Sequence, residues 1–279
     1  MNHDIRRRRA AFRTLHAQGC FVLPNPWDVG TARMLQGLGF QALATTSSGH
    51  AWSLGRPDGA TSRAVVLDHL GTMVEATDLP VNADFEDGFA PDPEGVAESV
   101  RMAIAAGVAG LSIEDSTGDP ANPVRSMHDA VARLRAARAA IDEAGGDVLL
   151  VGRAENFFLG RPDLADTLDR LRAYADAGAD CLYAPGIRTR GEIAAVVAAV
   201  APRPVNLLVG SATGLTLQDI AALGVRRISV GGALARAAWG GFLRAARAIA
   251  TEGRFDAFAD ATPGGELNTF FGQFPDGER

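Results

Sequence analysis

Ala106-Gly107-Val108-Ala109-Gly110 ends one amphipathic run and opens the apolar run Leu111-Ser112-Ile113. The phrase returns as Ala177-Gly178-Ala179-Asp180 before Cys181-Leu182-Tyr183, and as Leu223-Gly224-Val225-Arg226 before Arg227-Ile228-Ser229-Val230. Each time a helical pattern stops at a glycine, the residue favoured where a helix ends at φ > 0, and a strand-like stretch follows. Extended in both directions, this gives eight candidate strands at 20–24, 41–45, 79–84, 109–113, 148–153, 180–184, 204–209 and 226–230. Helical patterns lie at 29–38, 62–77, 93–107, 127–144, 162–178, 189–200, 216–223 and 231–251. Strands alternating with helices of this length build βαβ units and a parallel sheet. Eight such units in about 230 residues predict an α/β fold, a closed (β/α)8 TIM barrel. A doubly wound open sheet competes less well, because no Gly-rich phosphate fingerprint follows the first strand. The barrel is assigned to residues 1–251 and a C-terminal extension to 252–279. The extension carries Phe255, Phe258, Phe270, Phe271 and Phe274, aromatics that need a surface to cover on this subunit or a neighbour.

Composition removes several function classes. All 27 basic residues are arginine, so the chain has no lysine. Without lysine there is no P-loop and no Schiff-base chemistry. The net charge of −6 argues against nucleic acid as the main partner. No apolar run reaches the roughly 18–20 residues of a membrane span. Cys20 and Cys181 form neither a disulfide framework nor a zinc spacing, and a cytoplasmic location is the default. The Arg6–Arg9 run has no hydrophobic segment after it and is read as the solvated face of an N-terminal helix.

In such barrels the active site lies at the C-terminal ends of the strands. There the third strand ends in Asp84-Phe85-Glu86-Asp87-Gly88, the fourth in Glu114-Asp115-Ser116 and the fifth in Arg153-Ala154-Glu155-Asn156. Asp84, Glu86 and Glu114 therefore meet on one rim. Crowded carboxylates repel, and a hard divalent cation with oxygen ligands, Mg2+ or Mn2+, relieves that repulsion. Arg153 offers a planar fork to a substrate carboxylate. Thr46, Ser47, Ser48 and Gly49, after the second strand, offer hydroxyls and backbone N–H groups to the same anion, and Asn206 stands on the seventh strand. This combination suits a small α-keto or α-hydroxy carboxylate. His50, following the Ser/Gly turn, is a candidate acid–base group; His3, His16, His69 and His128 are read as structural.

Leu23-Pro24-Asn25-Pro26-Trp27-Asp28, Ser53-Leu54-Gly55-Arg56-Pro57-Asp58, Asp84-Phe85-Glu86-Asp87-Gly88, Ile113-Glu114-Asp115 and Ile228-Ser229-Val230-Gly231 together resemble successive blocks of the isocitrate lyase / phosphoenolpyruvate mutase superfamily. The resemblance spans residues 18–250. It implies a barrel with Mg2+ or Mn2+ on the third- and fourth-strand carboxylates, and substrates that pass through an enolpyruvate-like intermediate. By that likeness Asp84 is the direct metal ligand, and Glu86 and Glu114 act largely through water. Arg153 holds the substrate carboxylate, Ser47 and Ser48 form the anion-binding turn, and Asp58 is an acidic residue near the metal site. It also implies a homo-oligomer, dimer or tetramer, built by exchange of the C-terminal helix. The departures bear on the reaction. The lyases carry a Lys-Lys-Cys-Gly-His block in the loop after the fourth strand; here residues 116–125 contain no Cys, Lys or His. The mutases use lysine after Glu-Asp; here Ser116 stands there. Tyr183-Ala184-Pro185-Gly186 lacks the carboxylate of the lyases' sixth strand, and Leu207-Leu208-Val209 replaces a Thr-Glu pair.

The expected activity is cleavage of a C–C bond in an α-keto or α-hydroxy (di)carboxylate by a metal-dependent lyase, oxaloacetate-decarboxylase-like or methylisocitrate-lyase-like. A C–P bond mutase or hydrolase is the first alternative, and the missing loop lysines count against it. A barrel that binds a dicarboxylate without turnover is the second.

Overall fold

The computed structural model describes residues 3–274, and all eight expected strands form. They are β1 (Phe21–Leu23), β2 (Leu43–Ala44), β3 (Val81–Asp84), β4 (Gly110–Glu114), β5 (Leu149–Arg153), β6 (Cys181–Tyr183), β7 (Val205–Leu208) and β8 (Arg227–Ser229). Every ladder is parallel, and the order runs β2-β3-β4-β5-β6-β7-β8-β1. The seam between β1 and β2 is bridged by the Ala44 N–H on the Pro24 carbonyl at 3.1 Å and by the Asn25 side-chain amide on the Thr45 carbonyl at 2.8 Å. The sheet is thus a nearly closed (β/α)8 barrel.

The helices are α1 (His3–Ala17), α2 (Val29–Gly37), α3 (Ser47–Ser53), α4 (Arg63–Ala76), α5 (Pro93–Ala105), α6 (Met127–Glu143), α7 (Leu164–Asp176), α8 (Arg190–Val200), α9 (Leu217–Ala222), α10 (Ala233–Glu252) and α11 (Gly264–Phe271). Most begin at a side chain that accepts from a first-turn N–H: Asp28, Asp92, Ser126, Asp163, Thr189 and Thr216 each serve an otherwise unpaired donor. Gly107, Gly178 and Gly224, the helix-ending glycines of the repeated phrase, all take positive φ. A short 3-10 turn (Asp256–Asp260) and α11 give the extension helical content; its last five residues, 275–279, lie outside the described residues. Among the described residues, no helix is long and apolar enough to cross a membrane.

Contacts gather into two compact units that divide between Gly232 and Ala233. The first holds the barrel. The second begins with α10, so the contact boundary falls ahead of the sequence expectation at 251.

One expectation is corrected here. The Arg6–Arg9 run is not a solvated face throughout. Arg6 and Arg7 are exposed, but Arg8 donates to the Val74 and Thr77 carbonyls. Arg9 is buried, donates to the Val108 and Ile104 carbonyls and pairs with Asp147 at 2.9 Å. The run turns inward because α1 closes the N-terminal end of the barrel. Phe12 is fully buried with Phe21, Leu23, Ala42, Ala44 and Leu149. Buried carbonyls at the ends of α4 and α5 then need donors, and an arginine supplies several at once.

Candidate active site

Side chains alternate across a strand, so Asp84 and Asn82, Glu114 and Ser112, Arg153 and Val151 share the inward face. The ladder sets Glu114 opposite Arg153 and Arg153 opposite Tyr183. Arg153 is the hub. Its Nη1 donates to Asp84 Oδ1 at 3.0 Å and lies 3.1 Å from Glu114 Oε2. Its Nε bonds Glu155, and its guanidinium lies 5.1 Å from the centre of the Tyr183 ring. None of these bonds uses Nη2. Glu155, 2% exposed, is a member of the cluster that the sequence did not assign. Its signal was available: it stands two residues beyond Arg153, the spacing that returns to one face.

The carboxylates outnumber the cation. Asp84, Glu114 and Glu155 pair with Arg153, while Glu86 and Asp58 add their fields to Asp84. Burial, reinforced by Asp84, Asp58 and Asp87, pushes the Glu86 carboxyl up to about 7. Burial raises Glu114 and Glu155 as well, against the pull of Arg153. Among the described residues, no hydrogen-bond partner reaches the buried Glu86 Oε1. Glu86 also sits at φ +47 and Phe89 at φ +55, left-handed conformations that cost non-glycine residues about 1–2 kcal/mol each. The Glu86 carbonyl accepts from the Glu114 N–H at 2.9 Å, which ties this bent segment to β4.

These residues fit a hard cation. The donors are all oxygen, they repel one another, and one buried carboxylate oxygen is unserved. Among the described residues, however, no three His, Cys, Asp or Glu side chains are already gathered round one point; Asp84 and Glu114 are turned onto Arg153 instead. Asp84, Glu86 and Glu114 are the side chains that would hold the ion.

The Thr46–Gly49 segment is the start of α3 rather than an open turn. Thr46 caps it by accepting from the Gly49 N–H and bonds Ser48 Oγ at 3.1 Å. The Ser47 N–H is given to Asp84 Oδ2 at 3.0 Å, and the Ser47 hydroxyl bonds Asp58. Part of the expected anion cradle therefore holds the protein's own carboxylates. Thr46-Ser47-Ser48-Gly49 is a helix start that Ser/Gly composition disguises as a turn. The end of β8 closes over it: a side chain at Gly232 would meet Ser48 Oγ at 2.6 Å. Asp58 stands on an exposed loop with its field reaching Asp84, Glu86 and Arg153.

Two expected residues are committed to other partners. His50 stacks on His69 of α4 with ring centres 3.7 Å apart, and among the described residues neither of its buried ring nitrogens has a hydrogen-bond partner. Asn206 is fully buried; its oxygen accepts from Arg227 Nε and its amide donates to Ser229 Oγ, both at 2.9 Å. Asp115, next to Glu114, is 1% exposed. It is fixed by Arg170, the Tyr174 hydroxyl and the Glu155 N–H.

The profile of the phosphoenolpyruvate phosphomutase family matches residues 12–250. A solved structure from Burkholderia cenocepacia J2315, assigned provisionally as a lyase/mutase, is 50% identical, with a TM-score of 0.94 over 96% of this chain and 98% of that one. An uncharacterized protein of Mycobacterium tuberculosis (strain ATCC 25618 / H37Rv) is 33% identical over 86% of this chain and 88% of its own length. The oxaloacetate decarboxylase of Bradyrhizobium sp. (strain BTAi1 / ATCC BAA-1182) is 30% identical over 81% of this chain and 78% of its own. The chain belongs to this family, within the phosphoenolpyruvate mutase / isocitrate lyase superfamily.

Proposed function

We propose that this member of the phosphoenolpyruvate phosphomutase family is a Mg2+- or Mn2+-dependent lyase. It breaks a C–C bond of a small α-keto or α-hydroxy (di)carboxylate through an enolpyruvate-like intermediate, with an oxaloacetate-like acid as the simplest substrate. One observation carries this reading: a single arginine, Arg153, whose Nη2 takes no part in its three ion pairs, is set among carboxylates that exceed its charge. Arg153 binds the substrate carboxylate through Nη2, and the Tyr183 ring holds the guanidinium in place. Asp84, Glu86 and Glu114 hold the cation, and α3 orients Asp84 through the Ser47 N–H. The bound cation supplies Lewis-acid polarisation of the substrate carbonyl and charge for the enolate. Glu155 and Asp58 keep Arg153 and Ser47 in position. The likeness to an oxaloacetate decarboxylase over 81% of the chain supports C–C cleavage, as does the absence of lysine from residues 116–125.

The chain works as a homo-oligomer, dimer or tetramer, by exchange of α10. Trp239, Phe242 and Leu243 of that helix are exposed, Phe242 at 60%, more apolar surface than a lone helix leaves in water. Its two cysteines are both free, in keeping with a reducing cytoplasm.

The test is a screen of oxaloacetate, methylisocitrate, alkylmalates and phosphonopyruvate with Mg2+ or Mn2+, following 2-oxo acid release. Metal-dependent release from a C–C substrate, abolished by EDTA, is expected. Release from phosphonopyruvate alone reassigns the chain to C–P chemistry, and binding without release reassigns it to a non-catalytic role.

A further inference from the structure

Cleavage to an enolate needs a proton donor, and the expected candidates are absent or misplaced. Residues 116–125 hold no Cys, Lys or His, and His50 is stacked on His69. Tyr183 is the last residue of β6, 7% exposed, and its ring packs on the Arg153 guanidinium. Its hydroxyl adjoins a chain of hydrogen bonds whose direction is set from Arg227 as far as Ser229. Arg227, 2% exposed, can only donate, and its Nε donates to Asn206 Oδ1. That bond sets the amide so that Asn206 Nδ2 donates to Ser229 Oγ. Ser229 Oγ faces the Tyr183 hydroxyl, and its own rotatable hydrogen can turn to the Tyr183 oxygen when that oxygen carries charge, which favours the phenolate.

We propose that Tyr183 is the acid that protonates the enolate formed at Arg153. The proposal rests on the lyase reading above. With an oxaloacetate-like acid, the bond to the departing carboxylate breaks, CO2 leaves and its electron pair forms the enolate. The enolate carbon then takes the proton from the Tyr183 hydroxyl, forming a C–H bond as the O–H bond breaks. The phenolate is held by the Ser229 hydroxyl and the Arg153 charge until water returns a proton; the hydroxide so formed combines with CO2 as bicarbonate. Burial pushes the phenol up to about 12, so the group carries its proton at neutral pH, as an acid must.

The experiment is turnover of 3-methyloxaloacetate with Mn2+ in D2O by wild type, Tyr183→Phe and Ser229→Ala. It reads kcat, KM and the configuration of the deuterated carbon in the 2-oxobutyrate formed. Wild type is expected to deliver deuterium to one face. Tyr183→Phe is expected to lose about 10²-fold or more in kcat, the range for a missing general acid, at little change in KM, and to give racemic product. Ser229→Ala is expected to keep the configuration while lowering kcat, which covers the case of a Tyr183→Phe chain that melts early. A Tyr183→Phe chain that still labels one face at near wild-type kcat overturns the assignment. Wild type that turns over no 2-oxo acid with metal overturns the lyase reading, and the proposal with it.

Discussion

Replacing Asp115 by alanine removes the central acceptor beneath the site. Its carboxylate serves Tyr174 Oη at 2.6 Å, the Glu155 N–H at 2.7 Å and Arg170 Nη1 at 3.0 Å, and the residue is 1% exposed. Breaking a buried ion pair from one side costs about 3–5 kcal/mol. The low end applies, because Arg170 keeps Asp166 at 2.7 Å and the Arg125 carbonyl at 2.9 Å. A stranded buried hydroxyl and N–H add about 1–3 kcal/mol more. The expected loss is about 4–6 kcal/mol, or a Tm lower by roughly 8–24 °C for a chain this long. Thermal and urea denaturation at neutral pH read it directly. A double-mutant cycle with Tyr174→Phe isolates one bond, and a coupling of about 0.5–3 kcal/mol is expected. A loss below about 1 kcal/mol, or strict additivity with Tyr174→Phe, refutes the view that this carboxylate anchors β4, β5 and α7 together.

Further outcomes follow from other groups. Arg153→Ala should weaken binding of oxalate, a two-carbon dicarboxylate, by roughly 10- to 100-fold, the worth of a charge-assisted hydrogen bond; calorimetry checks it. Burial holds His16 and His69 down at about 3, whereas in the unfolded chain each titrates near 6.5. The unfolded state then binds more protons between those values, so this stability is complete above about 6.5 and drains as pH falls. The His69→Gln chain should lose less than wild type on acidification, by up to about 1.4 kcal/mol per pH unit, read from urea melts at pH 7, 6 and 5. Phe242→Glu, on the exposed face of α10, should reduce the mass measured by light scattering to that of a smaller assembly.

The barrel was legible because its signals are local and repeated. Glycines after helical patterns, such as Gly107 and Gly178, and side-chain caps such as Asp92 and Asp163 mark each unit's borders within two or three residues. The rim carboxylates were legible for the same reason, since strand ends locate Asp84, Glu114 and Arg153 without any distant contact. What escaped depends on tertiary neighbours. The burial of Arg9 requires carbonyls contributed some 95–99 residues away. The sequence shows a histidine after a Ser/Gly turn; only the packing of α3 on α4 shows His50 facing His69. Asn206 looks like a strand-end ligand until Arg227 and Ser229 occupy both ends of its amide. Tyr183 gains its interest from β5–β6 register alone, which sets it opposite Arg153.

In the proposed site, Asp84, Glu86 and Glu114 hold a cation beside an arginine that holds the substrate carboxylate. A crystal structure with Mn2+ and oxalate tests this arrangement most directly, using the anomalous signal of manganese. One manganese peak is expected, bonded to Asp84, with Glu86 and Glu114 in its immediate surroundings and an oxalate oxygen on Arg153 Nη2. A manganese peak away from these carboxylates, or oxalate bound with Arg153 still committed only to Asp84, Glu114 and Glu155, contradicts it.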